Sequence, residues 1–311
     1  MNSTGLDTNI TQKSVVLHQA LLITKSVFFA LSFFTYGFFL YFISNILAAY
    51  FANHHVRENS RYILFAHMLI NDTMYLSLGL LLGVAYQFLY IPIPICCFLV
   101  VITTATFLIT PYNLAAMSLE RYIAICFPLR YPMFCTAKRS YLTIAVMWIV
   151  GIIPNLADFA VLIRSVAKEF FLQSVLCKQE ELTVNRIQST IRSFVYISTL
   201  VLVALIIFFT YVQVMIIAKK TDSSKSSASK SGKTVMLHAG QLLLSIVSLA
   251  SIITEAYGGQ YMVMANFLLF MCVPRLLSPL IYGIRDEVFS KCIRKMYFVI
   301  HKEKNAIGQR K

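Results

Sequence analysis

The sequence predicts an all-α membrane protein, a bundle of seven transmembrane helices followed by a short amphipathic helix. Hydrophobic residues make up 58% of the 311 residues and charged residues only 13%, against roughly 25% charged residues in an average soluble domain. Seven apolar runs are each long enough to cross about 30 Å of hydrocarbon. Because lipid offers no partner to the backbone of an open strand, and the runs lack the alternation of barrel strands, each run is expected to be helical.

The seven runs divide the chain into three parts. We expect an extracellular N-terminus at 1–26, a seven-transmembrane domain at 27–284 and a cytoplasmic tail at 285–311. The runs lie at about 27–52, 60–86, 93–126, 140–163, 189–218, 234–257 and 262–284.

The basic residues orient the predicted bundle. Two of them flank the loop after span 1, four follow span 3, five follow span 5 and eight lie in the tail, so that 19 of the 27 are on one side. Since basic residues concentrate in cytoplasmic loops, that side is predicted to be cytoplasmic and the N-terminus extracellular. Attraction to anionic inner-leaflet lipid accounts for the net charge of +14 without a nucleic-acid partner.

The N-terminal segment agrees with this orientation. Asn2 and Asn9 each begin an N-glycosylation sequon in a short polar stretch, where the modification would be exposed. Asn71 also begins a sequon, but it lies inside span 2, where no transferase reaches. Residues 1–14 are polar rather than a basic start followed by an apolar core, so no cleavable signal peptide is expected.

Three of the seven cysteines lie near the predicted outer face, where disulfides form. A bridge from Cys177 to the outer end of span 3 would hold the long loop after span 4 over the mouth of the bundle. Cys96 and Cys97 are adjacent, and the residues alone do not choose between them. Cys96 precedes Arg121 by 25 residues, roughly 37 Å of helix, so the two mark opposite ends of span 3.

The stretch MSLERYIAICFPLRY (117–131) places a charged triplet at the inner end of span 3. Charged groups at a membrane-helix end are tolerated when they pair or reach water. Glu120 can pair with Arg121, and release of that pair would free a guanidinium to contact another protein. The sequence therefore suggests a switch; the alternative is a simple interfacial anchor.

Two more charges, Asp72 in span 2 and Arg275 in span 7, lie within apolar runs at similar depth. Either charge alone would be costly in a medium of low dielectric constant, so we expect the two to form an ion pair. The alternatives are that Arg275 points elsewhere or that Asp72 is protonated.

The cytoplasmic segments suit a coupling surface. Residues 221–233 form a short Ser/Lys-rich loop, and residues 286–300 have the pattern of an interfacial amphipathic helix. Cys292 on that helix is a candidate for palmitoylation, with an unmodified thiol as the alternative.

Taken together, these motifs resemble those of the rhodopsin-like G-protein-coupled receptors. The resemblance rests on seven spans, the triplet Glu120-Arg121-Tyr122, Trp148, Asn45, Asp72 and the stretch from Ser278 to Tyr282. Within that class, MSLERYIAICFPLRYP and PLIYGIRDEVF resemble the signatures of odorant receptors, in particular those of fish. The chain departs from the wider class in reading Ser278-Pro279 in span 7 and in lacking a proline in spans 5 and 6.

The resemblance implies roles for several residues. It favours Cys96 as the partner of Cys177. It makes Glu120, Arg121 and Tyr122 the activation switch and coupling site, with Pro279 in span 7 and with Tyr211 and Tyr282 as partners of Arg121 in the active state. Many such receptors bind sodium at the carboxylate that matches Asp72; here Arg275 is expected to replace the ion within a polar core of Asn45, Asp72, Thr110, Arg275 and Ser278.

The resemblance also implies a small-molecule pocket among the outer halves of spans 3, 5, 6 and 7. Helical spacing then gives candidates that are mostly apolar with a few hydroxyls: Thr103, Thr104, Phe107, Tyr196, Thr199, Ile252, Ile253, Tyr257, Leu268 and Met271. Thr103 stands where aminergic receptors carry an aspartate, which argues against a biogenic amine. Ordinary helix packing is the alternative for each apolar candidate.

The expected function is that of an odorant receptor in the plasma membrane, which binds a small odorant and activates a heterotrimeric G protein, raising cAMP. Arrestin, receptor kinases and membrane lipid are further expected partners, and no cofactor is expected. The alternatives are a rhodopsin-like receptor for an endogenous lipid or peptide and, more remotely, a transporter or channel. No nucleophile–base pairing, metal-ligand spacing or phosphate loop indicates an enzyme.

Overall fold

Long helices dominate the computed structural model, which describes residues 3–179, 181–221, 267–273 and 275–277. Within these residues, five helices are long and apolar enough to cross a membrane: Leu22–Ala52, Ser60–Phe88, Ile93–Cys126, Ala137–Ser165 and Arg186–Ile217. Their ends agree with those of the first five predicted spans to within five residues. The predicted sixth span and the amphipathic tail helix lie outside the described residues, and the seventh span is described in part.

The elements follow one another with short connections. The helices are α1 (Ser3–Ala52), α2 (His54–Glu58), α3 (Ser60–Phe88), α4 (Ile93–Cys126), α5 (Tyr131–Phe134), α6 (Ala137–Ser165) and α7 (Arg186–Thr221). A 3₁₀ helix covers Lys168–Leu172, a π-helix covers Phe267–Cys272, and two short strands are β1 (Tyr90–Pro92) and β2 (Ser174–Leu176). The helix α1 begins at Ser3, well before the apolar run that starts at about residue 27.

Side-chain bonds mark where two of the spans begin, and a proline marks the start of a third. Asn59 precedes α3 and its Oδ1 accepts from the backbone N–H of Arg61 at 3.1 Å. Thr136 precedes α6 and its Oγ1 accepts from the backbone N–H of Arg139 at 3.4 Å. The helix α4 has a proline in its first turn, where the missing N–H costs nothing.

Helix α4 is the centre of the described bundle, since it packs against α3, α6 and α7. Gly151 allows the approach of α6, because a Cβ at that position would lie 3.0 Å from Cγ1 of Ile109 and 3.3 Å from the carbonyl oxygen of Ala105. These distances leave little space for a methyl group. Helix α4 therefore has other helices on several of its sides.

The bundle has two distinct ends, which we name the disulfide end and the Arg121 end after features of α4. At the disulfide end, β1 pairs antiparallel with β2, with Ile91 opposite Val175. The bond between Cys96 and Cys177 fixes the loop that contains β2 onto the start of α4. Cys177 therefore bonds to Cys96 and not to Cys97, as the resemblance implies, and the loop covers this end of the bundle.

Candidate functional site

An ion pair between Asp72 and Arg275 lies in the interior of the bundle. Nε of Arg275 is 3.1 Å from Oδ1 of Asp72, and the side chains are only 5% and 3% exposed. Thr110 on α4 joins them, because its hydroxyl lies 3.3 Å from Oδ1 of Asp72 and accepts from Nη2 of Arg275 at 3.4 Å. The structure thus places a fixed cation of the protein beside the buried carboxylate, in the arrangement that the sequence predicts.

Tyr75 also contacts this ion pair, a contact that the sequence did not predict. The guanidinium carbon of Arg275 lies 3.8 Å from the centre of the Tyr75 ring, within the distance at which a cation is attracted to an aromatic face. Tyr75 follows Asp72 by three residues on α3, which places the two side chains on the same face of the helix. That spacing was the available signal.

The described bond of Asn45 lies within α1, and its predicted place in the polar core stays a prediction. Its Nδ2 donates to the carbonyl oxygen of Tyr41 at 2.7 Å, one turn earlier in α1. The amide that joins the core is Asn71, whose Nδ2 donates to the Thr106 carbonyl at 2.9 Å and to the Thr110 hydroxyl at 3.1 Å. Ser278 lies outside the described residues.

Three aromatic rings connect the middle of α4 with α3 and α7. Phe107 lies edge-on to Tyr196, with ring centres 5.8 Å apart at 88°, and 5.9 Å from the ring of Tyr75. These separations are those of favourable aromatic pairs. We call Tyr196, Phe107 and Tyr75 the aromatic row; it runs from α7 through α4 to the ion pair.

Other candidate pocket residues have varied surroundings. Thr199 is 2% exposed and its hydroxyl is 2.8 Å from that of Tyr112, and Leu268 is also buried. Thr103 donates to the Leu99 carbonyl of its own helix at 2.7 Å.

Thr104 was predicted to line a pocket between spans 3, 5, 6 and 7, and this placement is wrong. Its hydroxyl donates to Oδ1 of Asn155 on α6 at 2.6 Å. Adjacent helix positions are about 100° apart, and the bond to Asn155 turns the hydroxyl of Thr104 towards α6. The side chain of Met271, and the whole of Ile252, Ile253 and Tyr257, lie outside the described residues.

At the Arg121 end, α4 carries a second pair of opposite charges, Glu120 and Arg121. Nε of Arg121 lies 3.6 Å from Oε2 of Glu120, and the Tyr131 hydroxyl on α5 donates to Oε1 of Glu120 at 2.8 Å. Glu120 is buried, at 5% exposure. Burial and the Glu120 carboxylate raise the pKa of Tyr131 above its usual value, so the phenol stays protonated and can donate.

Aromatic rings and the thiol of Cys135 lie near this pair. The ring of Tyr122 packs against the rings of Phe127 at 5.7 Å and Phe209 at 5.6 Å. Burial, together with Glu120, raises the pKa of the Cys135 thiol to about 11. Tyr211 on α7 is 40% exposed, and Pro279 and Tyr282 lie outside the described residues.

The described residues contain no group of three or more His, Cys, Asp or Glu side chains that could hold a metal ion. In this part of the chain, the cation beside Asp72 is the guanidinium of Arg275.

Comparison with known proteins identifies the chain's relatives. The profile of the family described as 7 transmembrane receptor (rhodopsin family) matches residues 43–282. Odorant receptor 131-2 of Danio rerio is 28% identical over 83% of this chain and 82% of its own length. Olfactory receptor 5AC2 of Homo sapiens is 28% identical over 60% of this chain and 62% of its own length, and Olfactory receptor 51F2 of Homo sapiens 27% over 62% and 59%. This family and these relatives are not enzymes, as the sequence predicts.

Proposed function

Because the chain belongs to the rhodopsin family of 7 transmembrane receptors, we propose that it is an odorant receptor. It binds a small odorant within the bundle and activates a heterotrimeric G protein of the stimulatory olfactory type, which raises cAMP. The observation that carries this proposal is the similarity to a zebrafish odorant receptor along 83% of the chain. The similarity includes most of the membrane-spanning region, so it concerns the binding and coupling parts alike.

The odorant site lies at the start of the aromatic row. Phe107 and Tyr196 supply ring faces and edges, Leu268 adds an aliphatic surface, and Thr199 adds a hydroxyl. Such a lining suits a compact, mostly apolar molecule with one group that can form a hydrogen bond. Thr103, Met271, Ile252, Ile253 and Tyr257 complete the candidate set, while Thr104 is removed from it because it faces α6.

The Glu120–Arg121 pair is the output of the receptor. Release of Arg121 from Glu120 would offer a guanidinium to the G protein or to Tyr211 and Tyr282, near Pro279. Tyr131 holds Glu120 from the adjoining loop, which supports a closed state in the described arrangement. Arrestin and receptor kinases would use the same surface.

The receptor is placed in the plasma membrane with the disulfide end outside and the Arg121 end in the cytosol. The excess of basic residues on the Arg121 side supports this orientation. It makes 1–26 an extracellular segment, 27–284 the receptor domain and 285–311 a cytoplasmic tail. Asn2 and Asn9 are then accessible for glycosylation and Cys292 for palmitoylation.

The test is a screen of water-borne odorants by cAMP response in cells that express the chain with an olfactory G protein. Tyr196→Ala should abolish or strongly right-shift the response. Phe194→Ala is the matched control, since that ring is 71% exposed on the same helix and should leave the response unchanged. Arg121→Ala should reach the cell surface and remain silent.

The screen also separates the alternatives. Silence across a broad panel, despite verified surface expression, would favour a receptor for an endogenous lipid or peptide. A ligand-gated current without G protein would favour a channel. Loss of the response in Phe194→Ala together with a normal response in Tyr196→Ala would refute the proposed location of the odorant.

A further inference from the structure

The Tyr75 ring has a contact that ordinary helix packing does not require. It presents its face to the Arg275 guanidinium at 3.8 Å, while Arg275 pairs with Asp72 at 3.1 Å. Both Tyr75 and Arg275 are buried, at 8% and 5% exposure. In such a water-poor setting, attraction between a cation and an aromatic face is stronger than at a surface.

The position of Tyr75 gives that contact a second consequence. Tyr75 also packs against Phe107, which packs against Tyr196. The aromatic row therefore runs without interruption from the proposed odorant site to the buried charges. A ligand that displaces the ring of Phe107 must act on Tyr75, because the interior of a protein is close-packed and a ring cannot move into a neighbour's place.

We propose that Tyr75 is a positioning residue for the ion pair: its ring face holds the guanidinium of Arg275 beside Asp72, and through Phe107 it makes the strength of that hold depend on the odorant site. The first part stands on the geometry of α3 and the seventh span alone. The second part rests on the proposed function, because it assumes that the ligand binds against Phe107 and Tyr196.

The test replaces Tyr75 by phenylalanine and then by phenylalanines with one, two and three ring fluorines, incorporated by nonsense suppression. Fluorine withdraws electron density from the ring face and changes the ring volume little, so cation binding weakens while packing is retained. The same series at Tyr112 is the matched control, since that ring lies in the same core and its hydroxyl bonds to Thr199.

The purified receptor without ligand is then melted in lipid–detergent micelles. At position 75 the melting temperature should fall stepwise with fluorine number relative to the phenylalanine variant, by about 4 °C over the series. At position 112 the series should be flat. In the Asp72→Asn/Arg275→Gln background the slope at position 75 should disappear.

A flat series at position 75, or an equal slope with and without Arg275, would overturn the proposal, because the ring would then act through packing only. The link to the odorant site is measured by the same assay. Phe107→Ala should lower the melting temperature more in the native background than in Asp72→Asn/Arg275→Gln, and an equal loss in both would remove that part. No step uses an odorant, so failure here leaves the odorant screen as the separate test of function.

Discussion

Removing Arg275 alone should destabilise the receptor strongly, because it leaves a buried carboxylate without its cation. Two unit charges 3.1 Å apart attract each other by about 5 kcal/mol at an effective dielectric constant of 20. Desolvation offsets part of this, but loss of one partner of a buried pair costs about 3 to 5 kcal/mol, since the other charge stays in the interior. Arg275→Gln should therefore lower the melting temperature by on the order of 10 °C.

The assay compares three variants for surface expression and for melting of the purified protein. Arg275→Gln should show both defects. Asp72→Asn/Arg275→Gln removes both charges and should recover most of the loss, because neutral amides can hydrogen-bond to each other and to Thr110. Glu58→Gln is the control: its pair with His54 is exposed, at 63% and 72%, and its loss should change stability by less than about 0.5 kcal/mol.

Two results would refute this reasoning. Undiminished surface expression and melting temperature in Arg275→Gln would mean that Asp72 needs no cation. A double variant as unstable as the single one would mean that Arg275 acts through its packing rather than its charge.

Basal signalling of the wild type should also be unchanged when sodium is replaced by a large organic cation, since Arg275 already neutralises the carboxylate of Asp72.

Three further predictions concern other parts of the bundle. Gly151→Ala should lower the melting temperature relative to Gly37→Ala, because a Cβ at 151 meets Ile109 and α4 backbone while one at 37 meets nothing within 4 Å; the overpacking cost is about 1 to 3 kcal/mol, and equal melting would contradict it. Glu120→Gln should raise ligand-independent cAMP about fivefold at most, because it weakens a charged contact worth roughly 1 kcal/mol. Unchanged basal activity at equal surface expression would contradict the switch. Alkylation of Cys135 by iodoacetamide, followed by peptide mass spectrometry, should be slow at neutral pH, and its rate should rise with pH until about 11, since the raised pKa keeps the thiol protonated below that value. Glu120→Gln should increase the rate of alkylation. A rate equal to that of a free thiol would refute the assigned surroundings of Cys135.

The five spans that the structure describes could be predicted because the hydrophobicity of an apolar run adds up over its residues. Lipid requires about 20 apolar residues per crossing, and composition over a window reports that requirement whatever the neighbouring helices are. The ion pair could be predicted because an unpaired charge inside an apolar bundle is energetically costly. Asp72 and Arg275 each need a partner of opposite charge, and each is at a depth that lets the other provide it. The choice of Cys96 over Cys97 needed the family resemblance, since the two cysteines are adjacent in the sequence and either could have bonded to Cys177.

Contacts that depend on helix rotation were harder to predict. Thr103 and Thr104 both suited a pocket by residue type, and only the position of Asn155 shows that the second faces α6. Asn45 can bond within its own helix, so its polarity alone does not identify a neighbour on another helix. Tyr75 was missed because an aromatic residue in an apolar run is ordinary, and its role appears only when Arg275 is placed over its ring.

Helix α4 carries both the aromatic row and the Arg121 end, and its internal proline decides how the two can communicate. From Phe107 to Arg121 is 14 residues, about 21 Å and nearly four whole turns, so both side chains lie close to one face. Pro111 lies between them and has no N–H to donate, which leaves the Phe107 carbonyl without its usual helical partner. This turn has one backbone hydrogen bond fewer than a regular helix, so displacement of Phe107 by the proposed odorant would bend α4 there. A bend at this point would change the angle of the segment that ends in Glu120 and Arg121.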